Sequence, residues 1–160
     1  MILPKDILKR YWGHSSFRNL QEEIINAVIS KNDVFALLPT GAGKSLCYQI
    51  PALAKEGICL VISPLISLMK DQIAQLEKKG IKALTIESKS SVDEIVTLFD
   101  NLKFGNYKLL YLSPERLNSE FILNKLKQIQ VNLIAVDEAH CISEWGHDFR
   151  PSYRLIHKVR

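Results

Sequence analysis

Short runs of consecutive apolar residues recur along the chain, at 34–38, 58–62, 83–86, 109–112 and 133–136. They are rich in Val, Ile and Leu and apolar at neighbouring rather than alternating positions, the pattern of a strand covered on both faces. Between them, segments 65–79, 91–102 and 115–130 set charged residues among apolar ones at three- and four-residue steps, which predicts helices with one buried face. Strand and helix alternate throughout. That alternation predicts an α/β fold with a mainly parallel sheet flanked by helices, and such sheets bind ligands beyond the C-terminal ends of their strands. Lys79-Gly80 and Gly105-Asn106 read as turns, and neither an internal repeat nor a linker interrupts the pattern.

Composition narrows the picture only a little. A chain of 160 residues with 47% hydrophobic content has the size and apolar fraction of one domain with its own core. The net charge of +4 admits a polyanionic partner without requiring one. Pro4, Lys5, Asp6, Lys9 and Arg10 break up the N-terminus, leaving no signal-peptide core or membrane span there. A cytoplasmic location is expected, nucleoid-associated if the source is bacterial, with no membrane partner. Cys47, Cys59 and Cys141 are odd in number and far apart, which indicates buried free thiols rather than a disulfide framework or a zinc site.

The first candidate chemistry lies directly after the first apolar run, in Pro39-Thr40-Gly41-Ala42-Gly43-Lys44-Ser45, followed by an apolar helix-like stretch over 46–53. Glycines let backbone N–H groups curl around a phosphate, and the following helix directs its positive end at the anion. Lys44 adds a point charge, and Ser45 can ligate Mg²⁺. The first glycine of the usual G-x-x-x-x-G-K-[ST] pattern would fall at Leu38, so Gly41 must allow the tight turn. The plain alternative is a glycine-rich strand-to-helix turn that binds nothing.

A phosphate loop of this kind needs a carboxylate on a neighbouring strand to hold the metal and a group to orient the attacking water. The run 133–136 leads straight into Asp137 and Glu138, which supply both. Asp137 is expected to contact Mg²⁺ largely through its water shell, and Glu138 to polarise the hydrolytic water. The alternative is that these acids merely cap a helix N-terminus, where negative charge gains ~0.3–1 kcal/mol.

Asp137-Glu138-Ala139-His140 is the D-E-A-H form of a superfamily 2 helicase motif. Its continuation, Cys141-Ile142-Ser143-Glu144-Trp145-Gly146-His147-Asp148-Phe149-Arg150-Pro151, resembles the RecQ family of ATP-dependent DNA helicases. Phe17-Arg18-x-x-Gln21 is similar to that family's adenine-recognition motif and 40–45 to its first motif. Ser63-Pro64 through Gln72 is similar to motif Ia, and Tyr111 through Leu117 to the later segment that also tracks DNA.

The resemblance implies a RecA-like P-loop NTPase domain, the first lobe of a helicase, with Lys44, Asp137, Glu138 and His140 catalytic. Arg18, Gln21, Thr40, Gly41, Ala42, Gly43, Lys44 and Ser45 would hold ATP, and Ser45 and Asp137 the Mg²⁺. A stacking partner for adenine falls at Trp12 or His14. Ser63, Pro64, Arg116, Trp145, His147, Phe149 and Arg150 would face single-stranded or forked duplex DNA, the aromatic residues offering stacking faces worth ~1–3 kcal/mol per base. Without the resemblance, Gln21 reads rather as a solvated helix residue, Phe17 as core, and one of Trp145 and Phe149 as core.

In that family a second lobe completes the ATP site with an arginine finger. This lobe and the zinc-binding and winged-helix modules lie outside residues 1–160, so the lobe is expected as a C-terminally truncated fold. It should hold the nucleotide determinants yet unwind DNA poorly or not at all. Two other classes remain: a non-catalytic nucleotide- or DNA-binding module, and a P-loop phosphotransferase acting on a small molecule.

Overall fold

The computed structural model describes residues 1–39, 41–144 and 148–160. Four parallel strands form one sheet: β1 (Ile58–Ile62), β2 (Ala83–Thr85), β3 (Leu109–Leu112) and β4 (Val131–Val136), in the order β2-β3-β1-β4. Leu60 pairs with Leu110 on one side and Ile134 on the other, so β1 and β3 are central and buried throughout. Among the described residues six α-helices surround the sheet: α1 (Pro4–Ile7), α2 (Gln21–Ile29), α3 (Leu46–Ala54), α4 (Ile66–Lys78), α5 (Val92–Phe104) and α6 (Glu120–Leu126). Residues 65–79 and 91–102 fold as the helices their spacing predicts, and Ser91 starts α5 with a reciprocal capping box to Glu94.

Successive strand residues point to opposite faces, which divides the core. Ile58, Leu60, Ile62, Leu84, Leu110 and Leu112 pack under α5 and α6 with Ile95, Phe99 and Ile122. Cys59, Val61, Ala83, Leu109 and Tyr111 pack on the other face with Met69 and Leu76 of α4 and Ala52 of α3. Each fully buried Leu or Ile contributes ~1.5–3 kcal/mol of transfer free energy. A third cluster, Ile7, Leu8, Ile25 and Ile50, seats α1 and α2 on α3. Cys47, Cys59 and Cys141 are buried free thiols, as the sequence predicts.

Two predicted elements are corrected. Residues 34–38 form no strand: Val34, Phe35 and Leu37 are exposed, and the segment passes the open edge of β4 across a cleft of about 430 Å³. An apolar run becomes a strand only where a neighbouring ladder accepts its N–H and C=O groups, and none does here. The helix expected over 115–130 is instead a 3₁₀ turn, Pro114–Asn118, followed by α6. The break is at Ser119, whose extended backbone and hydroxyl, accepting from the Ile122 N–H, start a new helix.

Candidate nucleotide and nucleic-acid site

The loop after segment 34–38 is shaped by two glycines in the left-handed region, Gly41 at φ +80° and Gly43 at φ +73°. Ser45 then starts α3 with no side-chain capping bond, and Lys44 is exposed beside it. Thr40 lies outside the described residues. Gln21 is not a solvated helix residue: it is 2% exposed, and its amide grips the loop. Its Nε2 donates to the carbonyls of Ala42 and Gly43, both at 3.1 Å, while its Oε1 accepts from the Arg18 N–H at 2.9 Å. Packing of α2 against α3 holds the amide there. Next to it is a cavity of about 440 Å³ lined by His14, Phe17, Arg18, Gln21, Gly43 and Leu46. Trp12 does not line this cavity; its ring packs against the core with the Lys79 ammonium 5.6 Å from its centre.

The acidic pair stands at the C-terminal end of β4. The Asp137 N–H continues the ladder to the Ile62 carbonyl at 2.9 Å, and Glu138 then turns sharply at φ +54°, ψ +44°. A non-glycine residue held there costs of order 1–3 kcal/mol, a conformation that persists only where its surroundings enforce it. Glu138 N–H donates to Asp137 Oδ1 at 3.0 Å. Glu138 makes no side-chain cap on the short 3₁₀ turn Ala139–Ile142, so simple helix capping does not account for it. Its carboxylate instead lies 4.0 Å from Lys44 Nζ and 3.4 Å from His140 Nδ1, and His140 Nε2 lies 3.5 Å from Asp148. Burial, and then the neighbouring Glu138 charge, push the Asp137 carboxyl above its ordinary range, against the opposing hydrogen bond from the Glu138 N–H and the pull of Lys44 and His140. Lys44, Asp137, Glu138 and His140 thus line one cleft.

The other strand ends share the same rim. Ser63, after β1, is 3% exposed, so the accessible surface there starts at the half-buried Pro64 and runs on through 65–68. Past the ends of β2, β3 and β1, which are adjacent in the sheet, come Glu87, Arg116 and Lys70. Arg116 donates to the Glu87 carbonyl, and Lys70 Nζ pairs with the Glu87 carboxylate at 3.2 Å. Trp145 and His147 lie outside the described residues. Phe149 is half-buried with the Arg154 guanidinium 5.4 Å from its ring centre, and the Arg150 N–H donates to the Cys141 carbonyl.

Several contacts at this rim escape a reading of motifs. Tyr153, in the 3₁₀ run Pro151–Val159, is 1% exposed and donates to the Asp137 carbonyl at 2.8 Å. Its only sequence signal is an aromatic two residues past a proline. Tyr48 and Tyr111 both donate to Gln72 Oε1, at 2.8 and 2.9 Å, joining α3, β3 and α4. Glu87, a lone acid after a strand, carries no signal at all.

Comparison with known proteins agrees with this architecture. The chain is 53% identical over 153 residues to the ATP-dependent DNA helicase RecQ of Bacillus subtilis, covering 95% of this chain and 26% of that protein. It is 50% identical to RecQ of Haemophilus influenzae, covering 94% and 24%, and 42% identical to the ATP-dependent DNA helicase Q1 of Rattus norvegicus, covering 95% and 26%. The chain therefore spans about a quarter of the length of these curated relatives. A solved structure of the DUF1998 helicase MrfA bound to DNA and AMPPNP shares the fold with TM-score 0.68 at 20% identity, over 88% of this chain and 21% of that one. The family model described as DEAD/DEAH box helicase matches residues 18–160, and the chain belongs to that family.

Proposed function

We propose that residues 1–160 are the ATP-binding lobe of a RecQ-like DNA helicase, and that the lobe binds ATP with Mg²⁺ and contributes the groups that hydrolyse it. The observation that carries the reading is the meeting of Lys44 with Glu138, 4.0 Å apart, at the point where the phosphate loop faces the end of β4. In this reading the Gly41 and Gly43 amides and the α3 N-terminus hold phosphate oxygens, with Lys44 balancing their charge, while the Ala42 N–H donates to the Pro39 carbonyl at 3.1 Å and shapes the loop. Glu138, poised between Lys44 and His140, accepts the proton of the attacking water. Arg18 and Gln21 border the cavity proposed for adenine; its wall carries His14, which favours that residue over Trp12 as the stacking partner.

The donor set suits Mg²⁺. Among the described residues no group of three or more His, Cys, Asp or Glu side chains could hold a metal, whereas Mg²⁺ is commonly held by one or two carboxylates together with substrate phosphates. Ser45 and Asp137 would be its protein ligands, Asp137 largely through water. The bound ion supplies charge neutralisation at the phosphates.

Single-stranded or forked DNA is proposed to follow the rim from Pro64 past Lys70 and Arg116, and the segment carrying Trp145, His147, Phe149 and Arg150 to couple it to Glu138. Ser63, being buried, would support this track from below rather than touch it. Among the described residues no helix is long and apolar enough to cross a membrane. Translocation and unwinding would need a second lobe, which would supply the arginine finger, an element worth ~10³–10⁵ in rate.

The test is ATP turnover, with and without single-stranded DNA, by this chain and by one extended through a second lobe, each compared with Lys44→Ala and Glu138→Gln. Turnover lost in both variants and stimulated by DNA in the extended chain is the expected result. DNA-independent turnover with phosphate passed to a small molecule would instead indicate a phosphotransferase. A second reading, a nucleotide-binding module without turnover, is favoured by one observation: the segment leading into the phosphate loop is not paired with the sheet. Binding of nucleotide with no turnover in either chain would select it.

A further inference from the structure

We propose that Glu87 is a built-in competitor for nucleic-acid phosphate, holding Lys70 and Arg116 in place and lowering the affinity of the rim for a polyanion. The proposal rests on the reading that this rim follows a DNA backbone. One residue engages both cations: its carboxylate lies 3.2 Å from Lys70 Nζ, and its carbonyl accepts from the Arg116 guanidinium. The same carbonyl accepts from the Ser90 N–H at 3.1 Å, which fixes the turn and with it the position of the carboxylate.

Carboxylate and phosphodiester offer an ammonium group the same partner, an anionic oxygen acceptor. The Lys70–Glu87 pair is open to solvent, with side chains 53% and 65% exposed. Such pairs are weak, so a phosphate can displace the carboxylate, but the displacement takes away part of what the new contact gains. A cation still paired with the carboxylate also neutralises a phosphate less completely, and so releases fewer of the counterions condensed on the nucleic acid. The rim therefore grips DNA less tightly than its count of cations implies.

The experiment is fluorescence anisotropy of a labelled oligothymidylate titrated with wild type, Glu87→Gln, Lys70→Ala, Arg116→Ala and Glu87→Gln/Lys70→Ala over a salt series. Glu56→Gln, at the opposite end of the sheet just before β1, controls for the change in net charge. Glu87→Gln is expected to bind about two- to fivefold more tightly at low salt. Its log–log salt slope should steepen by up to ~0.7, the increment of one further phosphate contact on a single strand. The gain should vanish in the Lys70→Ala background, and Glu56→Gln should not reproduce it. If Lys70→Ala weakens binding while Glu87→Gln does not strengthen it, or if Glu56→Gln or the double variant gains as much, the competitor role is overturned and the DNA track stands. If neither Lys70→Ala nor Arg116→Ala weakens binding, the track is misplaced and the proposal falls with it.

Discussion

The phenol of Tyr153 donates a 2.8 Å hydrogen bond to the carbonyl oxygen of Asp137, the peptide group that leads into the left-handed turn at Glu138. The bond joins the 3₁₀ run after the loop to the carboxylate pair from beneath. Tyr153→Phe keeps the ring in its buried site and removes this bond together with the hydroxyl's contact with the Cys141 thiol, so the loss in unfolding free energy should be roughly 1–2 kcal/mol, measured by urea titration. Because the freed peptide no longer restrains Glu138, turnover should fall several-fold while nucleotide affinity changes little. An unaltered turnover number at equal stability loss would leave Tyr153 as core alone.

Gly41 and Gly43 share a backbone conformation but not surroundings. A Cβ at Gly41 meets nothing within 4 Å, whereas one at Gly43 would stand 2.4 Å from Gln21 Nε2. Gly41→Ala should cost only left-handed strain, ~1–2 kcal/mol. Gly43→Ala should cost the same strain and in addition expel the Gln21 amide from the loop. Binding of a fluorescent ATP analogue is expected to weaken more in Gly43→Ala than in Gly41→Ala. Gln21→Ala in the Gly43→Ala background should then add little, because the amide has already lost its place.

Asp137 predicts a dependence of stability on pH with a definite sign. Burial and the Glu138 charge raise its pKa in the folded state, so ionising it opposes folding. Any penalty is absent below the ordinary carboxylate range and develops as pH rises through the raised folded value. Asp137→Asn removes it, and its Tm should exceed that of wild type at pH 7, with the gap closing as pH falls through the carboxylate range. The same variant should lose the Mg²⁺ dependence of nucleotide binding. A gap that widened at low pH would contradict the assignment.

Runs 58–62 and 109–112 were legible as strands because both faces of β1 and β3 are covered, and consecutive apolar residues encode that condition directly. Run 34–38 carries the same pattern and forms no strand: it lies across a cleft from the open edge of β4 without pairing to it, a spacing that a local pattern does not encode. The break at Ser119 turns on one hydroxyl competing with helix continuation, a choice that three- and four-residue spacing cannot register. In the site, Lys44, Asp137 and Glu138 stood out because a phosphate-binding loop and its acidic partner call for those residue types, although of the two segments that lead into them only 131–136 forms a strand. The hold of Gln21 on Gly43, of Tyr153 on Asp137 and of Glu87 on Lys70 spans segments distant in sequence and formed by tertiary packing, so no motif announced them.

Gln72 accepts from two phenols, the buried Tyr111 and the half-buried Tyr48, and this shared acceptor makes its replacement differ from replacing either donor. Gln49 Nε2 donates in turn to the Tyr111 hydroxyl at 3.3 Å; burial pushes the Tyr111 phenol up to about 12 and raises the Tyr48 phenol as well, so both remain protonated donors. Tyr48→Phe or Tyr111→Phe removes one donor and leaves Gln72 the other, at about 1 kcal/mol each. Gln72→Leu leaves two largely buried hydroxyls without their acceptor at once and should cost more than either, roughly 2–4 kcal/mol by urea titration. With both tyrosines changed to Phe first, the same Gln72→Leu substitution should cost far less, since no hydroxyl is left unpaired. That non-additivity is the signature of one network joining α3, β3 and α4, and additive costs across the cycle would mean that the three side chains act separately.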